Sequence, residues 1–338
     1  MRPPRGRRFL LDFIACGLFV AGALAAIAWL PDSWAHIIRV AAGRATHIAV
    51  SAATSAESLT TALGVLLVVA GEVPVVGYRR SSLYRLLHPT KSTWTDIVWF
   101  SVRVLGLGSL VTALFSLGGS IAVTRVAQTY FGLGLLEHVG NRALHIFLYL
   151  FLADLLNYWV HRGRHQIRWW WEFHKLHHSA TELNAITFAR GHPLDDVTIV
   201  VVSAIPLALL GGSAGDSLIV LTILGVHAGI THSMLPWDWG WVGKYVIRSP
   251  IGHRIHHSPL PEHTDTNFAL FPIWDRIFGT EYTGPVVNEL PGVDANYHNA
   301  RGLLYDVVES TRRAVHALRP NRKSDPRLDV AIDPGTGR

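Results

Sequence analysis

The chain has 338 residues, 49% of them hydrophobic and 16% charged, with a net charge of +6, 19 histidines, 12 tryptophans and one cysteine. Soluble globular chains carry about 25% charged residues, so this one has given up many of the side chains that keep a surface wet, and it is neither disordered nor fibrous. One cysteine excludes a disulfide framework, a thiolate-held zinc or iron–sulfur site and a CxxCH haem attachment, so whatever the histidines do, they do without thiolates.

The basic excess suits nucleic acid or an anionic membrane face, and the apolar runs decide for the membrane. A helix needs roughly 20 mainly apolar residues to cross the hydrocarbon core. Phe9 to Leu30 meets that length with Asp12 as its only charge, and its apolar region is too long for a cleaved signal. Leu59 to Gly77 follows, interrupted by Glu72 and Pro74; then come Ile97 to Val123 with Arg103, and Ala143 to Val160 with Asp154. Val197 to Leu210 and Leu218 to Leu235, joined by a glycine-rich turn, predict a short hairpin that does not cross twice. The expected architecture is an all-α integral membrane protein with about four transmembrane helices, this hairpin and a cytoplasmic helical cap. Clusters of Arg and Lys at residues 2–8, 79–91 and 162–175 fall on one side if four spans alternate. That side is then the cytoplasm, together with both termini.

From Pro236 the composition turns to loops rich in Pro, Trp, His and Asp, which read as cap. Leu303 to Arg319 has apolar residues at Leu303, Leu304, Val307, Val308, Val315 and Leu318, a helical period that predicts a helix packed on the cap or lying on the bilayer. Asn321 to Arg338 is polar and aperiodic and reads as a disordered tail. Trp169, Trp170 and Trp171, and Trp237, Trp239 and Trp241, read as an interfacial belt.

The histidines cluster. His161 and His165 follow the fourth run; His174, His177 and His178 come next; His253, His256 and His257 repeat the HxxHH spacing much later. At this chain's histidine frequency about 0.06 HxxHH motifs are expected by chance, and two are present. Spacings of three and four put side chains on one helical face, so each cluster aims two or three rings at one point. Protonated, these rings would repel one another; neutral, they suit iron, zinc or copper, and eight are too many for one ion but enough for two. His232 and His227, in the last apolar run, need a polar partner there and are further candidate ligands, and His192 is a possible extra one. Asp154, seven residues before His161 on the same helical face, is expected to steady a ligand histidine, and Asp265 and Asp275 are similar candidates in the cap.

The run from Asp154 through Tyr158, Trp159, His161 and Arg162 to His165 resembles the entry motif of the sterol desaturase and fatty acid hydroxylase superfamily. The two HxxHH clusters, the segment Asp265-Thr266-Asn267-Phe268 and the segment Ile273 to Thr280 resemble its later signatures. The resemblance spans about Ala143 to Tyr282, and nothing before about residue 130 adds to it. It implies a membrane-bound, O2-dependent enzyme with two iron ions held by histidine on the cytoplasmic side, zinc being a possible substitute in purified protein. It assigns the metal to His161, His165, His174, His177, His178, His253, His256 and His257. His232 matches a histidine of the last membrane segment, and His227 is less securely placed. Asn267 joins Asp154, Asp265 and Asp275 as a supporting residue. The organisation expected is a membrane region at 1–130, a catalytic domain at 131–285, an amphipathic-helix region at 286–320 and the tail at 321–338.

Such a centre would hydroxylate an unactivated C–H bond of a membrane lipid, or desaturate one. No GxGxxG motif or carrier-like segment is present, so electrons must come from a separate ferredoxin, cytochrome b5-like protein or reductase. The expected location is the inner or plasma membrane of a bacterium. Two other classes compete. A zinc-dependent membrane hydrolase is countered by the absence of HExxH, and a metal or haem carrier by the placement of most histidines outside the spans.

Overall fold

A computed structural model describes residues 56–105, 129, 140–195, 214–285 and 298–318, all within the second of two units, Ala52–Arg338. The expected span Phe9 to Leu30, most of Ile97 to Val123, the arm Val197 to Leu210 and the tail from Asn321 lie outside the described residues. Among the described residues the regular structure is entirely helical.

Among the described residues, two helices are long and apolar enough to cross a membrane. Helix α1 is Ala56–Val76 and helix α4 is Arg142–Gln166. On α1, Leu59, Leu63, Leu66 and Leu67 stand outward with exposures of 57–66%, an apolar stripe a water-facing helix would not carry. The opposite face buries Val65, Val68 and Val69 against Ala185 and Ile186. Glu72 on this helix is buried but not idle, for its carboxylate accepts the backbone N–H of Ser82 (2.6 Å) and of Met234. A buried carboxylate survives by such pairing, and here it ties α1 to the residues that follow it and to the end of helix Ala214–His232.

Short helix α2, Ser82–Leu87, is capped by Ser81. Helix α3, Lys91–Val104, is capped by Thr90 and starts six residues before the expected apolar run, because the cap and not hydropathy fixes its origin. Helix α4, capped by Asn141, continues past the apolar stretch to Gln166. At 1.5 Å per residue its 25 residues extend roughly 37 Å, so a single rod carries the span and, beyond it, His161 and His165 one turn apart. The chain reverses at Ile167 into α5, Arg168–His178. Gly163 permits that turn: a Cβ there would meet the Trp170 ring at 3.0 Å.

Helix α6, Ala214–His232, packs on α1, α4 and α8. Gly64 of α1 lets it approach closely, since a Cβ there would lie 2.9 Å from Val226. Helices α7 (Gly240–Tyr245), α8 (Pro250–His256) and α9 (Pro272–Ile277) occupy the segment expected as cap, with α7 against α9 and α8 started by the Ser249 side chain and Pro250. Helix α10, Leu303–Ala317, packs on α5 with Asp306, Ser310 and Ala314 inward. Its Leu304, Val308, Val315 and Leu318 face out. Hydrogen bonding decides this rotation, because the Asp306 carboxylate accepts the Trp99 indole N–H (3.1 Å) and pairs with His298 (3.1 Å).

The most deeply buried ion pair among the described residues is Arg190 with Asp96, both side chains fully buried. Arg190 Nε donates to Asp96 (2.8 Å), Nη1 to Ser179 and Asn299, and Nη2 to the Ser92 carbonyl (2.6 Å). The other Asp96 oxygen accepts Asn184 and Thr187. Every donor meets an acceptor, which is the condition under which a buried pair is tolerated. Removing one partner strands the other charge. Asp96→Ala should therefore lower stability by about 3–5 kcal/mol, seen as a lower thermal midpoint of the purified protein, with Asp96→Asn losing less; an unchanged midpoint in Asp96→Ala would refute this role.

Candidate metal centre

Nine histidines converge in two groups. His161, His165, His174, His178 and His256 form one; His177, His232, His253 and His257 form the other. Within each group the candidate ligand atoms all lie within 4.8 Å of one another. The sequence motifs do not map onto the groups one to one. Helix α4 gives both of its histidines to the first group. Helix α5 gives His174 and His178 to the first and His177 to the second. At α8 the division reverses: His256 joins the first group, while His253 and His257, the residue ending the helix, join the second. Each HxxHH spacing therefore feeds two points rather than one, because the two adjacent histidines of the five-residue motif lie about 100° apart around the helix and cannot face the same way.

The direction of six of the nine rings is set from behind. His161 Nδ1 donates to the Phe268 carbonyl (2.9 Å), His256 Nδ1 to that of Thr266 (2.7 Å), His177 Nδ1 to that of Arg190 (3.0 Å) and His232 Nδ1 to that of Ala228 (2.8 Å). A carbonyl only accepts, so the proton of each neutral ring sits on Nδ1 and Nε2 is left as a bare lone pair. His165 Nδ1 lies 3.4 Å from Asp265 and His174 Nδ1 3.3 Å from Asp195.

The Nε2 atoms face each other across short gaps: 3.1 Å for His165 and His178, 3.4 Å for His177 and His232, 3.1 Å for His232 and His253, and 3.2 Å for His253 and His257. His177 and His232, both protonated on Nδ1, have no proton to share, so two lone pairs point at one another. Three more buried Nε2 atoms, of His161, His174 and His256, meet no hydrogen-bond partner. A cation resolves both features. With metal–nitrogen bonds of about 2.1 Å, neighbouring ligand nitrogens on one ion lie roughly 3.0–3.4 Å apart, the spacing found here. The donor set is imidazole alone, which suits iron, zinc or copper.

Of the residues singled out in the sequence, His227 and His192 stand outside both groups. His227 Nε2 is 2.8 Å from the Arg248 carbonyl. His192 lies against Phe173 and is 3.3 Å from the Val307 carbonyl; burial pushes its pKa down to about 4. Asp154 touches no ligand ring: it accepts the backbone N–H of Leu270 (2.9 Å) and Phe271 (2.8 Å). Asp275 accepts those of Phe268 and Ala269 (2.9 Å each) and pairs with Arg248 (2.8 Å). Asn267 donates to the Gly252 carbonyl and accepts from Tyr282. These three hold the segment 265–271, whose carbonyls steer His161 and His256. Asp265 and Asn267 adopt left-handed backbone (φ 57° and 58°), a strain that the surrounding bonds sustain beside the site. Sequence reasoning passed over Asp195 and Arg190, since neither lies at histidine spacing. The signal available was a carboxylate three residues after His192 and an arginine two residues before it.

Burial, and after it the crowding of neighbouring imidazoles, holds His174, His178, His253, His256 and His257 well below the ordinary histidine value of 6.5; for His177 burial and then His232 do the same. A folded chain with depressed histidine pKa values binds fewer protons than the unfolded chain once the pH falls towards 6.5 and below, so their contribution to stability is present above that pH and lost beneath it. Metal retention follows the same sense, because protons compete for the same nitrogens. Chelator-treated protein scanned between about pH 8 and pH 5 should keep a level thermal midpoint above 7 and lose it progressively below 6.5; a midpoint that rises on acidification would contradict the assignment of neutral, inward-facing rings.

The sequence profile of the fatty acid hydroxylase family matches residues 146–280, which contain all nine grouped histidines. The chain is 31% identical over 144 residues to ornithine lipid hydroxylase of Rhizobium tropici, covering 42% of this chain and 43% of that protein. It is 31% identical over 136 residues to alkylglycerol monooxygenase of Danio rerio (38% and 28%). It is 27% identical over 143 residues to putative Delta(7)-sterol-C5(6)-desaturase 2 of Arabidopsis thaliana (40% and 48%). The chain spans less than half the length of each of these relatives. No solved structure matches. Residues 146–280 thus match the fatty acid hydroxylase family, and that segment is similar to proteins named as a lipid hydroxylase, a monooxygenase and a sterol desaturase.

Proposed function

We propose that the chain is a membrane-bound oxygenase that hydroxylates an unactivated C–H bond of a lipid, using O2 and electrons from a separate donor. The observation that carries this reading is the pair of imidazole groups with their lone pairs turned inward. His161, His165, His174, His178 and His256 would hold one iron ion, and His177, His232, His253 and His257 the other. Bound there, the two ions would supply the O2 chemistry that attacks a C–H bond.

The chain's own residues hold and shield the site. The carbonyls of Phe268, Thr266, Arg190 and Ala228 fix the ring protons on the outer nitrogens, so no ligand must lose a proton to bind. Tyr158, Phe268 and Ala269 form a buried apolar cluster behind His161 that keeps water from this side. No serine or cysteine nucleophile is required, and groups of four and five imidazoles leave little room for the water a hydrolytic zinc needs.

The outward leucines of α1 and the length of α4 support a membrane location. We further propose four spans and a short hairpin, with the cap, the metal centre and both termini on the cytoplasmic side of a bacterial inner membrane, following the basic loops. The lipid would reach the centre from the bilayer between helices, and a ferredoxin, cytochrome b5-like protein or reductase would deliver electrons from the cytoplasm. The domain limits given above go with this reading. Hydroxylation stands ahead of desaturation because the relatives from Rhizobium tropici and Danio rerio are named as an ornithine lipid hydroxylase and an alkylglycerol monooxygenase.

Lipid mass spectrometry of cells expressing the chain tests this. One lipid class should gain a single oxygen, and the product should disappear in His174→Ala and His253→Ala. A loss of two hydrogens instead would establish desaturation, and an unchanged lipid profile with an iron-loaded protein and a competent electron donor would refute lipid oxidation.

A further inference from the structure

The two histidine groups differ in what stands behind them. Two rings of the five-histidine group rest on carboxylates: His165 Nδ1 faces Asp265 at 3.4 Å, and His174 Nδ1 faces Asp195 at 3.3 Å. In the four-histidine group the outer partners of His177 and His232 are the carbonyl oxygens of Arg190 and Ala228, neutral acceptors. Asp195 is itself held firmly. Arg164 Nε lies 3.2 Å from its Oδ1, and Arg164 Nη2 donates to the Asp195 carbonyl at 2.6 Å, which leaves Oδ2 directed at His174. All three side chains of this chain of contacts, Arg164, Asp195 and His174, are buried.

A carboxylate behind a ligand imidazole accepts its N–H more strongly than a carbonyl does, moves electron density towards the inner nitrogen and makes it a better donor to a cation. It also places negative charge near the ion in a medium that screens it poorly. Arg164 offsets part of the charge of Asp195, so that residue acts mainly by orienting and polarising His174. Asp265, partly exposed and with no guanidinium found on it among the described residues, stands behind His165 in the same way.

The geometry points to unequal metal sites: the five-histidine group binds its ion more tightly, and Asp195 and Asp265 are the positioning residues that make it so. This rests on the reading of the nine histidines as a two-metal centre and adds an order of affinity to it. The four-histidine group, with fewer ligands and no carboxylate found behind its rings among the described residues, is the more readily exchanged site.

The test is anaerobic titration of the full-length, chelator-stripped protein with Fe(II) against a competing chelator, with bound iron measured directly. Two resolved equivalents are expected. Asp265→Asn and Asp195→Asn should each weaken one equivalent by about 10–100-fold and leave the other unchanged. A merely structural role would weaken both together. Asp195→Asn also loosens Arg164, so Asp265→Asn, at the edge of the site, decides the matter if the first variant does not fold. Two equivalents of equal affinity in the unaltered protein, or a shift in both equivalents of Asp265→Asn, would overturn the inequality while leaving the two-metal reading intact. Failure to bind iron at all would overturn both.

Discussion

An imidazole has two nitrogens, and in its neutral form only one carries a proton. If the bare nitrogen is to point inward at a shared centre, the protonated one must be satisfied behind it, and this constraint organises the fold around the site. Nine rings crowd into one region, and the walls of that region are built from acceptors: carbonyls of residues 190, 228, 266 and 268, and carboxylates at 195 and 265. The acceptors are in turn held in place. Asp154 and Asp275 use both their oxygens to pin four successive backbone N–H groups of residues 268–271. Arg190, whose carbonyl receives His177, is locked by five side-chain donations, among them that to Asp96.

The arrangement has an energetic cost without a cation and a reason with one. The opposed lone pairs of His177 and His232 at 3.4 Å repel, and buried ring nitrogens without partners forgo hydrogen bonds they would make in water. Metal binding converts both terms into attraction, and because the site is assembled from four helices and two loops, binding energy is also folding energy. The same logic explains the split of the two HxxHH motifs. Each helix contributes to both groups, so neither group closes without both helices in place, and two bound ions would lock α5 against α8.

Much of the site was legible in the sequence, because helical spacing is a one-dimensional signal. His161 with His165 and the two HxxHH repeats could be read as rings on common faces, and His232 as a polar residue that must find a partner within an apolar helix. What spacing cannot give is the far side of a contact. His227 and His232 both met the test of a histidine in an apolar run, but five residues turn a helix by roughly 140°, so only one faces the other rings while His227 reaches the Arg248 carbonyl. Asp154 shares a helical face with His161, yet it supports that ring indirectly, through a loop more than 110 residues further on. Asp195 and Arg190 carry no periodic signature and emerge only when the chain between α5 and α6 is folded back. In the fold, the apolar runs marked α1 and α4, whereas the rotation of α10 follows buried hydrogen bonds at Asp306 rather than its apolar stripe.

The account stands on two metal ions held by nine imidazoles. The most direct test is the metal-to-protein ratio of the intact chain saturated with Fe(II) and freed of loosely bound ions. The account predicts two ions per chain; a ratio of one or fewer in folded protein would contradict it.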